Sequence, residues 1–230
     1  MQEVRMSRRL ALFDLDNTLL EGDSDHAWGE FLISRNLVDA NAHRAENDSY
    51  YRQYQEGKLD IHVYVKFTMA PILQLSSAKR KALHEVFMRE TVAPMVLDKA
   101  LALVKQHRDA GDYCLIITAT NAFITSPIAA IFGVDQLIAT ELEIKDDCLT
   151  GNIAGTPCYQ AGKVAKLEQW LLAQRQPQEQ LSLANSIFYT DSVNDLQLLK
   201  RVKVPVAVDP DDQLRSTALE KRWDIISLRG

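Results

Sequence analysis

The run Leu10-Ala11-Leu12-Phe13 passes straight into Asp14-Leu15-Asp16-Asn17-Thr18. An apolar stretch cut off by acids reads as a buried strand at its carboxyl end. After Pro94 the chain alternates between helix and strand patterns. Leu97–Arg108 reads as a helix closed by Ala110-Gly111, Tyr113–Ile117 as a strand, and Phe123–Phe132 as a helix stopped by Gly133. Glu141–Ile144 and Leu149–Ile153, joined across Asp146-Asp147, read as a β-hairpin. Lys163–Ala173 is a helix, Ile187–Tyr189 a strand, and Leu196–Lys200 a short helix. Val204–Val208 is a last strand, which Pro205 places at a sheet edge. Strands separated by helices imply an α/β fold, a Rossmann-like, doubly wound parallel sheet with helices on both faces.

Residues 24–90 break this alternation. Glycine is nearly absent there, and Trp28, Phe31, Leu32, Tyr50, Tyr51, Tyr54, Tyr64 and Phe67 recur at helical spacings. Breaks fall near Asn36–Asn41, Gly57–Leu59 and Pro71. Amphipathic helices lodged between two strand-like segments read as an inserted cap. The chain then divides into an α/β core, 1–22 and 91–230, and a helical insertion, 23–90.

Composition removes several function classes. The chain carries 26 Lys and Arg against 31 Asp and Glu, a net charge of −5. Binding along a phosphate backbone draws on a basic surplus, so nucleic acid is not an expected partner. A hydrophobic content of 47% excludes disorder as the main state. Cys114, Cys148 and Cys158 have no CxxC spacing, so neither structural zinc nor a disulfide framework is expected. Three reduced thiols fit a cytoplasmic protein. Arg5, Arg8 and Arg9 precede the first apolar run, but Asp14 and Asp16 interrupt it too soon for a signal peptide. The uncharged stretch Tyr113–Val134 is broken by Thr118, Thr120, Asn121, Pro127 and Gly133, too polar for a membrane span.

Open parallel sheets carry their chemistry just beyond the carboxyl ends of the strands. Asp14 and Asp16 follow the first strand, Thr118 the second, and Asp191 and Asp195 the strand ending in Tyr189-Thr190. Lys163 stands ahead of a helix after the hairpin. Carboxylates gathered in one crevice repel one another unless a cation joins them, and an all-oxygen set suits Mg²⁺. If the chain turns after Asp14, one carboxylate faces the metal and the other the substrate. Lys163 adds a compact positive charge and Thr118 a hydroxyl donor, which with a metal make a receptor for a phosphoryl group. Taken singly, each residue has a plainer role. DxD occurs in calcium loops and surface turns, Thr118 can cap a strand, Lys163 can sit in solvent, and Asp191 and Asp195 can cap a helix. Their joint order at strand ends favours phosphoryl transfer.

The segments LFDLDNTLL, LIITAT, Lys163 and YTDSVNDLQLL resemble the four motifs of the haloacid-dehalogenase superfamily of phosphatases, over residues 10–210. A helical insertion directly after the first motif resembles the C1 cap of its phosphoserine-phosphatase-like subgroup. GDSDHAWGEF and YRQYQEGKLDIHVYVKF are similar to a bacterial branch of phosphoserine phosphatases and histidinol-phosphatases. The resemblance implies that Asp14 is the nucleophile, giving an aspartyl-phosphate, and that Asp16 is the general acid and then base. Asp16 would then need a pKa above that of Asp14. Mg²⁺ would be held by Asp14, Asp16 (through its carbonyl) and Asp191, with Asp195 and Asn194 in support. Thr118, Ala119 and Lys163 would hold the phosphoryl oxygens, and Thr18 would fix the first loop.

The sequence departs from that pattern where Thr190 and Ser192 replace two glycines of the fourth motif, and where Ala119 and Thr120 follow Thr118. By the resemblance, Asp23 stands where an acid meets the substrate amine, and Lys66 where an arginine grips a carboxylate. Lysine is a poor equivalent at a bidentate site. With Asp23, Asp25 and His26 making the pocket mouth acidic, a small amino-bearing phosphate ester is the expected partner, histidinol phosphate ahead of phosphoserine. Asp23 and Asp25 also fit as caps of a helix, and Tyr50, Tyr51 and Tyr54 as either a pocket wall or core of the insertion. His43, His62, His84 and His107 show no ligand spacing. A phosphotransferase or mutase of the same fold, or a noncatalytic protein binding a partner through its cap, are the rival readings. The segments near Leu20–Asp23 and Glu90–Met95 are the expected hinges.

Overall fold

Strand β1 (Leu10–Phe13) is buried along its whole length. The computed structural model describes residues 8–174 and 181–230, so Arg5 lies outside the described residues. After β1 come the inserted helices α1 (Ser24–Ser34), α2 (Ala40–Gln55), α3 (Ile61–Met69) and α4 (Ser77–Phe87). The alternating part continues with α5 (Asp98–Asp109), β2 (Tyr113–Asn121), α6 (Ala122–Phe132) and β3 (Gln136–Thr140). The hairpin β4 (Leu142–Lys145) and β5 (Cys148–Ile153) precedes α7 (Ala161–Ala173) and β6 (Ser186–Thr190). The chain ends with α8 (Leu196–Leu199), β7 (Val204–Val208), α9 (Asp212–Lys221) and β8 (Asp224–Ile226).

The main sheet is parallel in the order β3-β2-β1-β6-β7-β8. Successive strand side chains point to opposite faces, and β1 divides its four between two cores. Leu10 and Leu12 pack with Leu115, Ile117, Phe188, Val164 and Leu214, on the face covered by α7, α8 and α9. Ala11 and Phe13 pack with Ile116, Tyr189, Val104, Ile128 and Trp28, on the face of α5, α6 and α1. Full burial of a Leu or Phe contributes roughly 1.5–3 kcal/mol, so β1 is anchored from both sides. That anchoring fixes where the Asp14–Thr18 loop emerges. β2 lies on one flank and β6 on the other, making β1 the switch point of the sheet, where ligand crevices form.

Three differences from the sequence reading have physical causes. β2 runs on to Asn121 through a register irregularity between Ile117 and Asn121. Such bulges re-aim side chains near active sites, and this one contains Thr118, Ala119 and Thr120. Val204–Val208 is not an edge strand, because β8 pairs with it. That pairing begins at Val206, so Pro205, opposite Phe188 of β6, needs no second partner. β3, α9 and β8 are additions that the sequence pattern does not announce. In the hairpin, Asp146 and Asp147 both take positive φ, 48° and 58°, as a two-residue turn of this hand demands.

The two segments joining the inserted helices to the core run side by side. Leu20 bridges Val96 in antiparallel fashion, and Glu21 N donates to Met95 O at 2.7 Å. Among the described residues no helix is long and apolar enough to cross a membrane. Cys114, Cys148 and Cys158 are all free.

Candidate active site

The chain turns immediately after β1. Asp14 N still donates to Tyr189 O as a strand residue does, but the Leu15 carbonyl already accepts from Thr18, Leu19 and Leu20. This separates the two acids of the motif. Asp14 turns toward the β6 side, where Lys163 Nζ donates to it at 3.1 Å. Asp16 turns toward β2, accepting from Thr120 Oγ1 at 2.8 Å and from Ser24 N at 2.7 Å. Thr120 therefore accounts for one departure from the family pattern, since its hydroxyl fixes Asp16.

Lys163 is brought in at the start of α7 and is 2% exposed. It spans Asp14 and Asp195, the latter at 2.7 Å. Two neighbours force its placement. A Cβ on Gly162 would lie 2.0 Å from the Pro157 carbonyl oxygen, so only glycine permits the close turn. Gln160, just before α7, takes φ 48° and ψ −118°, a conformation that side-chain-bearing residues rarely hold. Its Nε2 donates to Gly57 O at 3.1 Å and lies 3.3 Å from Asn194 Oδ1, tying this turn to the inserted helices. Nothing in the sequence pattern marks Gln160.

The loop after β6 supplies the remaining acids. Thr190 Oγ1 donates to Asp195 at 2.8 Å, and Ser192 Oγ receives Asn194 N at 3.2 Å, so the hydroxyls in the two glycine places brace this turn. Thr18 Oγ1 donates to Asp191 at 3.0 Å and receives Asp191 N, fixing the first loop against the last as expected. Asn194 reaches further than loop support, donating to Tyr54 O at 2.9 Å. Thr118 is 1% exposed and lines the crevice with Ala119.

Burial governs the electrostatics. It pushes Asp14 up to about 7, Lys163 working against it and Asp195 and Asp16 with it. It also pushes Asp16 up to about 7, helped by Asp23 and opposed by Ser24 and Thr120. Asp191 is driven well above the usual carboxylate range by burial and by Asp14. Although burial disfavours the charged amine, Asp14 and Asp195 hold Lys163 above its ordinary value.

A cavity of about 20 Å³ remains between these residues and the inserted helices, little more than one water's room. It is lined by Asp14, Asp16, Thr118, Ala119 and Thr120 of the sheet end, and by Asp23, Asp25, Tyr50, Tyr51, Tyr54, Leu59, Ile61 and Tyr64 of the inserted segment. The tyrosines therefore wall the pocket, and Tyr64 joins them. Lys66 does not. It lies on the exposed side of α3, whose Ile61, Tyr64, Val65 and Met69 face inward, and it is absent from the lining. Asp23 caps α1, accepting from Asp25 N and His26 N, while His26 pairs with Asp48 instead of facing the pocket. His43, His84 and His107 are buried, and His62 is exposed.

Among the described residues no three His, Cys, Asp or Glu side chains gather closely enough to cage a metal ion unaided. The donor set still fits magnesium, which commonly takes one or two carboxylates and retains waters. The charge of Asp14 raises Asp191, and Asp195 and Asp16 raise Asp14; a divalent cation is the partner that relieves such a cluster of carboxylates.

The chain matches the haloacid dehalogenase-like hydrolase family over residues 11–200. A histidinol-phosphatase of Neisseria meningitidis is 44% identical over 223 residues, covering 96% of this chain and 100% of that one. A phosphoserine phosphatase of Mycobacterium tuberculosis is 30% identical over 222 residues, covering 95% of this chain and 70% of that one. A Bordetella pertussis protein described as of unknown function superposes with a TM-score of 0.88 at 41% identity, covering 97% and 100% of the two chains. A phosphoserine phosphatase solved as a phospho-aspartyl intermediate analogue superposes at 0.69 with 18% identity, covering 97% and 95%, a likeness of fold alone.

Proposed function

Because the chain belongs to the haloacid dehalogenase-like hydrolase family and is a phosphatase, we propose that it hydrolyses a small phosphomonoester carrying a protonated nitrogen and no carboxylate, histidinol phosphate above phosphoserine. The observation that carries the substrate class is the pocket lining. It contains Asp23 and Asp25 but no Lys or Arg, and Lys163, bound to Asp14 and Asp195, has its remaining N–H for the phosphoryl group. A substrate carboxylate finds no partner there, whereas a cation finds two acids and four tyrosine rings. The 44% identity to a histidinol-phosphatase points the same way.

In this reading Asp14 attacks phosphorus and carries the phosphoryl group as an aspartyl-phosphate. Asp16, held by Thr120 and Ser24, delivers a proton to the leaving oxygen and then takes one from the attacking water. A pKa of about 7 suits both duties near neutral pH. Thr118, Ala119 and Lys163 hold the phosphoryl oxygens. Asp14, the Asp16 carbonyl and Asp191, with support from Asp195 and Asn194, would hold magnesium, whose positive charge would offset repulsion between nucleophile and ester. Residues 23–90 act as the cap, with 20–23 and 90–95 as hinges, because the cavity as it stands is too small for any such ester. A cytoplasmic setting belongs to the same reading.

The test is a side-by-side comparison of kcat/KM on histidinol phosphate, phosphoserine and a neutral aryl phosphate, with and without EDTA. Preference for histidinol phosphate, lost to chelation and restored by magnesium, is expected. Equal or better turnover of phosphoserine overturns the substrate class.

A further inference from the structure

Four carboxylates line the crevice, Asp14, Asp16, Asp23 and Asp25, Asp191 and Asp195 follow β6 beside them, and the protein itself supplies donors to five of the six. Lys163 donates to Asp14, and Ser24 and Thr120 donate to Asp16. Asp23 takes the first N–H groups of α1, Asp191 the hydroxyl of Thr18, and Asp195 both Lys163 and Thr190. Asp25 is the sixth. It is 3% exposed, lines the cavity, and its Oδ1 has no hydrogen-bond partner among the described residues. Nearly all buried polar atoms find a partner, so an orphaned carboxylate oxygen on a residue that lines a cavity calls for one from outside the chain. The first turn of α1 gives Asp25 favourable dipole electrostatics, but among the described residues no backbone N–H is seen to bond its carboxylate.

We propose that Asp25 is the residue that receives the protonated nitrogen of the substrate, and that Asp23 serves mainly to cap α1 and hold Asp25 in place. This rests on the amino-ester reading above and refines it. The occupant must donate a hydrogen bond. A primary ammonium or an imidazolium qualifies, while a quaternary ammonium, which has no N–H, leaves Oδ1 as bare as before. Tyr64 closes the pocket on the same side, its hydroxyl raised by burial and then most strongly by the charge of Asp25. Burial and the charges of Asp23 and Asp16 also push Asp25 well above the usual carboxylate range. An arriving cation offsets that repulsion.

The experiment compares kcat/KM for phosphoethanolamine, phosphocholine and a neutral aryl phosphate in wild type, Asp25→Asn, Asp25→Ser and Asp23→Asn, each checked for a cooperative thermal transition. A charge-assisted bond in a buried site sets the scale of about ten- to a hundredfold. The ratio of phosphoethanolamine to aryl phosphate is expected to fall by about that factor in both Asp25 variants, and less in Asp23→Asn. Wild type is expected to favour phosphoethanolamine over phosphocholine. A wild type with no preference for the amino ester over the aryl phosphate defeats the amino-ester reading itself. A wild-type preference that survives in whichever Asp25 variant folds, whether or not overall rates drop, defeats the assignment to Asp25 alone.

Discussion

Replacing Lys163 by Met removes the one cation that, among the described residues, bridges Asp14 and Asp195. The ammonium lies 3.1 Å from the first and 2.7 Å from the second, and each of the three residues is at most 3% exposed. Solvent cannot take over its role. Stripping one partner from a buried ion pair costs about 3–5 kcal/mol, because the remaining charge is left uncompensated. In a chain of this length each kcal/mol lowers the melting temperature by about 2–4 °C, so the loss should be roughly 6–20 °C. Thermal unfolding followed by circular dichroism in EDTA reads this directly. The double variant Lys163→Met/Asp195→Asn tests the cause. Removing one stranded carboxylate should return part of the loss, with a coupling of about 0.5–3 kcal/mol. A melting temperature within about 2 °C of wild type, or strictly additive effects, would refute the idea that Lys163 holds these acids together. Lys163→Arg should not rescue, because a fully buried site shaped around an ammonium has no room for a guanidinium fork.

Other positions give sharp outcomes. Gly162→Ala must displace the Pro157 carbonyl, 2.0 Å from the new Cβ; it should lower both melting temperature and kcat, and an unperturbed enzyme would mean that this turn does not set Lys163. Asn194→Ala loses the bond to the Tyr54 carbonyl, so the cap should open more readily, seen as faster amide exchange in residues 50–57 than in wild type; unchanged exchange would count against the latch. Asp112 is raised by burial, yet hydrogen bonds from Arg9 and His107 and their charges hold it below its ordinary value. Its contribution to stability is therefore complete above the unfolded-state pKa of about 3.9 and lost as pH falls through the lower folded value. Wild type should lose its stability margin over Asp112→Asn on acidification through that range, and a margin independent of pH would contradict this.

Much of the site was legible because its residues sit at strand ends, where a short apolar run meeting acids leaves a plain mark. Asp14, Asp16, Thr118, Lys163, Asp191 and Asp195 all converge as the strand-end rule requires. What escaped has specific causes. β3 mixes Gln136 and Thr140 with only three apolar residues, β8 is three residues long, and α9 buries only Leu214 and Ala218. None of these carries enough apolar signal to stand out. Lys66 was misplaced because the resemblance fixes a position along α3 but not which side of the helix turns inward. The standing of Asp25 against Asp23 was invisible for a related reason. Both are acids near a helix start, and only packing decides which one the helix consumes and which one it leaves bare. Gln160 acts through a strained backbone and a contact across the chain, neither of which sequence spacing records.

Phosphorylation of Asp14 is the event on which the proposed chemistry depends. The direct measurement is to quench the enzyme in acid during turnover of a phosphate ester, reduce any acyl-phosphate with borohydride, and map the modified residue by mass spectrometry. Modification of the peptide spanning β1 and its adjoining loop, at Asp14 and absent from Asp14→Asn, is the predicted result. Modification at any other residue, or full turnover by Asp14→Asn with no trapped adduct, would contradict it.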